Sequence, residues 1–354
     1  MTALDRSDLD HLEQAMGELR RGAVVAFSDW LVAGAETVTP ARFDALGAMT
    51  GATLALTGRR AGVLKLRAYD GDIARLLLPR DRVLVAALAD PADDLSMPMK
   101  GPFETIRGGE ADDAEIARLA VRVCKVARLL PAAILARWPA SGALAVEPMA
   151  LRRALDGPGL TLERFSDARV PLSLAADSRV FGFRPSDGGP DHFAILIGDP
   201  PRGEPVLVRA HSECYTGDQL GSLKCDCGPQ LRAALAQISA RGAGVLLYLA
   251  QEGRGIGMAN KLRAYALQDQ GFDTVDANHR LGFEDDERDF RVAALMLRSL
   301  GFGAVEVMTN NPRKTAAFEA HGVSVTGRVP LAVGRTDQND AYLATKAARS
   351  GHLL

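Results

Sequence analysis

Residues 205–249 hold the pattern that decides the fold. Pro205-Val206-Leu207-Val208 reads as a strand, and Gly244-Val245-Leu246-Leu247-Tyr248-Leu249 reads as a buried strand. Between them Pro229 opens a helix in which Leu231, Leu235 and Ile238 share a face, because i, i+4 and i+7 positions align. The alternation continues toward the C-terminus. A helix runs from about Met258 to Gln270 and is stopped by Gly271. Another runs from about Glu287 to Leu300, with Phe290, Ala294 and Leu297 inward and Gly301 as its stop. Strand Val305–Met308, a helix begun by Pro312 and strand Val323–Thr326 complete an α/β pattern. The N-terminal half mixes helix and strand signals with weaker periodicity. The expected organisation is a first domain at 1–135, a linker at 136–165 containing Asp156-Gly157-Pro158-Gly159, and a second domain at 166–354.

Composition narrows the function. The 354 residues carry 42 Lys+Arg against 44 Asp+Glu, so a basic nucleic-acid coat is excluded, although a local basic pocket is not. Aromatic residues at 5% disfavour a stacking platform for single strands. Residues 1–22 lack the basic start and apolar core of a signal peptide. No apolar run reaches the roughly 18 residues of a membrane span. A cytoplasmic protein without membrane or nucleic-acid partners is expected. In that compartment, clustered cysteines more often bind metal or do chemistry than pair.

Three motifs carry that chemistry. Cys214, Cys225 and Cys227 fall within fourteen residues, while Cys124 stands alone. Three soft ligands suit zinc and leave a fourth tetrahedral position open, the pattern of a catalytic site. Three buried cysteines acting as small hydrophobes, or a structural zinc with His211 as fourth ligand, fit the spacing as well. Gln251-Glu252-Gly253-Arg254-Gly255-Ile256-Gly257 joins a strand to a helix, and Thr309-Asn310-Asn311-Pro312-Arg313-Lys314 does the same. Taken singly, each also fits an ordinary glycine or capped turn. Two such basic turns beside a metal site imply a polyphosphate ligand, because helix N-termini and arginine forks favour anions. The acidic run Glu284–Asp289 alone reads as a solvated helix start, and Tyr265 alone as helix packing.

Taken together, the residues resemble the GTP cyclohydrolase II family. The likeness is carried by Val208–Cys214, Ser222–Gly228, Gln251–Arg254, Arg263–Asp269, Asp286–Phe290, Thr309–Pro312 and the tail Gly351-His352-Leu353-Leu354, over about Leu160 to Leu354. The resemblance implies conversion of GTP to a diaminopyrimidine ribosyl phosphate, formate and pyrophosphate, the entry step of riboflavin biosynthesis. It implies zinc on Cys214, Cys225 and Cys227, magnesium with the triphosphate, and a homodimer. It implies GTP contacts from Arg209, Ala210, His211, Ser212, Glu213, Gln230, Glu252, Gly253, Arg254, Thr274, Thr309 and Lys314. Asp286 is implied as proton acceptor, Arg288 as nucleophile toward the α-phosphate, and Tyr265 as assistant near the metal. A guanidinium is effectively always protonated, so charge stabilisation is expected to be part of the role of Arg288.

The N-terminal half is faintly similar to dihydroxybutanone phosphate synthase at Ala15–Val25 and Leu31–Arg42. That family's acidic magnesium cluster has one carboxylate here, in Ala26-Phe27-Ser28-Asp29-Trp30-Leu31, and Glu110–Glu115 replaces a histidine-containing motif. The expected first domain is therefore α+β and degenerate, structural or oligomerising. Two other functions fit the second half: a cyclohydrolase-like enzyme of another nucleotide pathway, and a nucleotide-binding regulatory module with structural zinc.

Overall fold

The computed structural model describes residues 7–137, 142–156, 160–331 and 333. The chain divides into two compact units, each discontinuous in sequence: 1–159 with 259–286, and 160–258 with 287–354.

The first unit is built on a six-stranded sheet of order β4-β3-β5-β2-β1-β6. Its strands are β1 (Val25–Phe27), β2 (Trp30–Gly34), β3 (Thr53–Thr57), β4 (Ile73–Leu77), β5 (Ala132–Arg137) and β6 (Leu144–Val146). All neighbours are antiparallel except β1 and β6. Helices α1 (Asp8–Arg20), α5 (Ala111–Val126) and α6 (Pro148–Asp156) supply Leu12, Leu19, Ala120, Val123 and Leu151 to one core with Val25, Val32 and Leu135. Ser7 caps α1 through a reciprocal bond pair with Asp10, an arrangement of about 1 kcal/mol. Shorter helices α2 (Pro40–Gly47), α3 (Gly58–Val63) and α4 (Arg82–Ala89) complete the N-terminal part.

The second unit holds seven strands in the order β13-β12-β10-β11-β9-β8-β7. A meander of β7 (Leu162–Arg169), β8 (Ser178–Pro185) and β9 (His192–Ile197) leads antiparallel into β11 (Gly244–Leu249). Beyond it β10 (Val206–Ser212), β12 (Ala304–Met308) and β13 (Ser324–Val329) run parallel with β11. Parallel neighbours need crossovers; α7 (Cys227–Ala240) joins β10 to β11, and α11 (Pro312–Ala320) joins β12 to β13. Alternate residues of β10 face opposite layers. Val206, Val208 and Ala210 pack with α10 (Arg291–Ser299), while Leu207 packs with Leu235 and Ile238 of α7.

The α/β pattern and the inward Leu235, Ile238, Ala294 and Leu297 are as the spacing predicts, whereas Leu231 and Phe290 are only partly buried and Phe290 lies before α10. Three features differ. The stretch expected as a linker carries β6 and α6, and both pack into the first unit; its residues 138–141 and 157–159 lie outside the described residues, as does the tail 351–354. Helix α10 starts at Arg291 rather than near Glu287, because Glu287 N–H donates to Arg254 O (3.0 Å) and Gln251 Nε2 to Asp289 O (2.7 Å), holding 287–290 in an irregular strap. The third concerns α8 (Met258–Asp269) and an unforeseen seven-residue α9 (Thr274–Arg280), which Asp273 caps through Val275 N–H and Asp276 N–H. From Ala259 to Asp286 this segment belongs to the first compact unit, although its sequence motifs belong to the second half.

Candidate metal and nucleotide site

Strands β12, β10 and β11 are adjacent and parallel, and each ends in one of the three motifs. Chain order places β11 on one side of β10 and β12 on the other, so strand order reverses at β10. Ligands of open α/β sheets bind outside the carboxyl ends of strands at such a reversal.

After β10 the chain turns sharply. Glu213 N–H donates to Leu249 O (2.7 Å), and one turn of π-helix over Tyr215–Gln219 carries it toward α7. The Sγ atoms of Cys214, Cys225 and Cys227 lie within 4.8 Å of one another, with Cys214 and Cys225 3.7 Å apart. Gly217 closes over them. A Cβ there would stand 2.7 Å from Cys225 Sγ and 3.0 Å from Cys214 Sγ, so no side chain fits. Its N–H instead donates to Cys214 Sγ at 3.3 Å. Cys227 begins α7, whose N-terminal dipole favours thiolate. Hydrogen bonding with Cys214, together with burial, pushes the Cys225 and Cys227 thiols above their ordinary value. The donor set fits a zinc ion, which would take all three as thiolates and remove the competition for protons. Among the described residues no other group of three or more His, Cys, Asp or Glu is placed to hold a metal.

The sequence carried no sign of the residue that organises this loop. Asp218 accepts from Cys214 N–H (3.0 Å) and Tyr248 Oη (3.0 Å), and faces His211 Nε2 at 3.0 Å and 3.1 Å. His211 stacks on Tyr248 with ring centroids 5.7 Å apart, a pairing set by the β10–β11 register. Its Nε2 is committed to Asp218, and it is not a member of the cysteine group. Burial lowers the His211 pKa despite Asp218. On the same face Arg209 donates to Gln230 Oε1 (2.6 Å) and Met308 O (3.0 Å), while Gln230 Nε2 donates to Asp226. Arg209 Nε is buried without a hydrogen-bond partner among the described residues, and burial pushes its pKa down to about 10.

The turn after β11 is left-handed, with φ of 65° at Gly253 and 61° at Arg254. Arg254 pays strain for that conformation, since it has a Cβ. Buried Glu252 holds the turn: its Oε2 accepts from Tyr215 N–H (2.6 Å) and its Oε1 from Gly253 N–H (2.9 Å). The turn after β12 caps itself, Asn311 N–H donating to Thr309 Oγ1 at 3.0 Å. Lys314, on α11, is buried and donates to Ala210 O at 2.8 Å. Arg288 reaches Ser212 Oγ (3.4 Å) and lies over the Phe290 ring.

Thus Arg209, Ala210, His211, Ser212, Glu213, Gln230, Glu252, Gly253, Arg254, Arg288, Thr309 and Lys314 share the second unit with the three cysteines. Tyr265, Thr274 and Asp286 belong to the first. Tyr265 lies on α8 with Lys261 Nζ 5.6 Å from its ring centroid, and Thr274 Oγ1 accepts from Gln268 Nε2 (3.1 Å). In the N-terminal part, Asp29, Glu110 and Asp113 converge on Arg137, at 3.8 Å, 3.0 Å and 2.8 Å. A guanidinium therefore stands among the acids there. A cavity of about 230 Å³ nearby is lined by Trp30, Arg75 and Asp113, but Arg75 is committed to Asp70 and Gly108 O, and Asp113 to Arg137.

The family profile described as GTP cyclohydrolase II matches residues 163–330. A relative from Azospirillum brasilense named GTP cyclohydrolase-2 is 46% identical over 99% of this chain and 96% of its own length. Relatives of the same name from Cronobacter sakazakii and Salmonella typhimurium are 54% and 52% identical over 55% of this chain, which spans 98% and 99% of theirs. A solved two-domain 3,4-dihydroxy-2-butanone 4-phosphate synthase from A. baumannii aligns over 91% of the chain at 15% identity and a TM-score of 0.29, a likeness too slight to argue from.

Proposed function

The chain belongs to the GTP cyclohydrolase II family, and from that premise we propose how its residues divide the conversion of GTP to the diaminopyrimidine, formate and pyrophosphate. The observation that carries the reading is the cysteine trio closed under Gly217 at the carboxyl ends of three parallel strands that also end in the phosphate-type turns. When bound to Cys214, Cys225 and Cys227, zinc supplies Lewis acidity that makes water a nucleophile near neutral pH.

The chain does the rest. Arg254 and Lys314 hold the outer phosphates, magnesium accompanying the triphosphate, and Arg288, stationed at Ser212, clamps the α-phosphate while a water attacks it and pyrophosphate leaves. Arg288 acts as a charge clamp rather than a nucleophile, because its guanidinium stays protonated. Arg209, His211, Glu213, Gln230 and Thr309 line the remainder of the GTP site. A carboxylate of Glu213 or Glu252 accepts from the guanine amide and amino groups, which selects guanine over adenine. Asp286 accepts a proton and Tyr265 assists water attack on the imidazole carbon, which opens the ring to a formamide; a second water then hydrolyses that amide and formate leaves. Thr274 contacts GTP from the same segment. The enzyme works as a cytoplasmic homodimer. The N-terminal half is a synthase-like domain without synthase activity, a reading supported by Arg137 among its acids.

The test is incubation of the purified protein with GTP and magnesium and assay of formate and pyrophosphate. Both are expected in equal amounts; the absence of formate removes the reading. Ribulose 5-phosphate should yield no dihydroxybutanone phosphate, and measurable yield overturns the reading of the first half.

A further inference from the structure

We infer that the N-terminal half positions segment 259–286 for turnover, with Glu36, Asp90 and Thr57 as the positioning residues. The inference rests on the reading that Tyr265 and Asp286, both in that segment, act on GTP.

The segment is held near both ends by polar bonds to the N-terminal half, inside one compact unit. Near its start Arg263, two residues before Tyr265, has its guanidinium engaged at all three nitrogens. Nε donates to Asp90 Oδ2 (3.0 Å), Nη2 to Glu36 Oε1 (2.8 Å) and Nη1 to Asn260 Oδ1 (2.8 Å). The other oxygen of Glu36 takes Leu130 N–H at 2.7 Å, so the carboxylate is fixed before it meets Arg263. Asn260, fully buried, donates to Arg128 O at 3.1 Å.

Near its end Gly282 O accepts from Thr57 Oγ1 at 2.8 Å, four residues before Asp286. A Cβ on Gly282 would stand 2.9 Å from that hydroxyl and 3.1 Å from Pro131 Cγ, and the residue sits at φ 88°, so glycine is required for the approach. Arg280 joins Arg60 and Lys100 on buried Asp94.

Stability alone does not ask for this. Leu267, Val275 and Phe283 already bury apolar surface in the segment. Ion pairs such as these, half-buried at Arg263 and buried at Asp94, add little net stability over an apolar replacement, whereas their geometry sets the direction of the segment that carries them. Direction matters for a side chain acting on a substrate, since a misplacement of about 1 Å can cost about a hundredfold in rate. The N-terminal half thereby has a task in the reaction without touching GTP.

The test compares wild type, the double variant Glu36→Gln/Asp90→Asn, Thr57→Val, Thr57→Ser and Tyr265→Phe. Formate release from GTP, zinc content and amide exchange over 259–286 are measured on each full-length protein. The double variant should lose about tenfold or more in kcat with KM within about twofold, keep its zinc, and exchange faster in the segment. Thr57→Val should lose about threefold in kcat, and Thr57→Ser, which keeps the hydroxyl, should restore it. Full kcat in the double variant despite faster exchange overturns the inference. So does a parallel loss of kcat, GTP affinity and zinc, which marks a general loosening. If Tyr265→Phe turns over normally, the reading of Tyr265 fails and the inference falls with it. A wild type that releases no formate removes the activity itself.

Discussion

The cysteine loop of the second unit and the segment 259–286 both carry residues expected to act on GTP, yet they are positioned by opposite means. The cysteine loop is organised by neighbours in sequence. Gly217, Asp218 and the start of α7 all lie within fourteen residues of Cys214. The segment 259–286 is organised by Glu36, Thr57 and Asp90, more than 170 residues away in the chain. A site built locally keeps its ligands together through its own turns. A segment anchored at a distance depends on a whole additional fold being intact.

The largest expected effect breaks the local half of that contrast. Cys225→Ser should lose most of its zinc and more than about a hundredfold of formate release, because a hydroxyl is a poor substitute for thiolate. Cys124→Ser should keep both: that thiol is buried in the first unit, and burial, reinforced by Glu36, pushes it up to about 12. Equal zinc in Cys225→Ser and wild type, by elemental analysis, refutes the metal assignment.

Next is Asp218→Asn, which weakens the acceptor shared by Cys214 N–H, Tyr248 and His211. About a fiftyfold loss of formate release is expected, inside the roughly ten- to hundredfold range of an outer-shell hydrogen-bond partner. Unchanged kinetics would show that the cysteine turn orders itself.

A smaller effect separates phosphate contacts from scaffold. Arg254→Ala and Lys314→Ala should weaken GTP more than GMP, by roughly 2 kcal/mol for a lost charge-assisted bond. Lys314 is the sharper case, since its bond to Ala210 O also ties α11 to β10. Equal losses for the two ligands by calorimetry would make it scaffold.

The smallest effect probes the distant anchor through pH. Burial raises the Asp94 pKa, but Arg60 and Lys100 outweigh it, and the carboxyl is held below its ordinary value. A depressed carboxylate contributes stability that is present above the unfolded pKa of about 3.9 and is lost as pH falls through the lower folded value. Asp94→Asn should flatten the fall in stability below about pH 4, read by urea denaturation at several pH values. An unaltered slope would remove Asp94 from the acid response.

Local chemistry was legible in the sequence, and long-range partnership was not. The strands of 205–249, the inward faces of α7 and α10, and the cysteine spacing follow from rules that act over a few residues. Helix α9 escaped because seven residues closed by an Asp273 cap show no periodicity. The strap at 287–290 escaped because its bonds go to Arg254 and Gln251 rather than along a helix. By itself the sequence determined the α/β character of the second half, the spacing of the three clustered thiols and the two basic turns, since each is written in spacing and residue type. Tertiary structure alone decided that Asp218 holds His211, Tyr248 and Cys214 together, and that 259–286 packs with the N-terminal half. Those partners meet only when strands and helices far apart in the chain are brought side by side, and no rule of local spacing encodes which distant carboxylate an arginine will find.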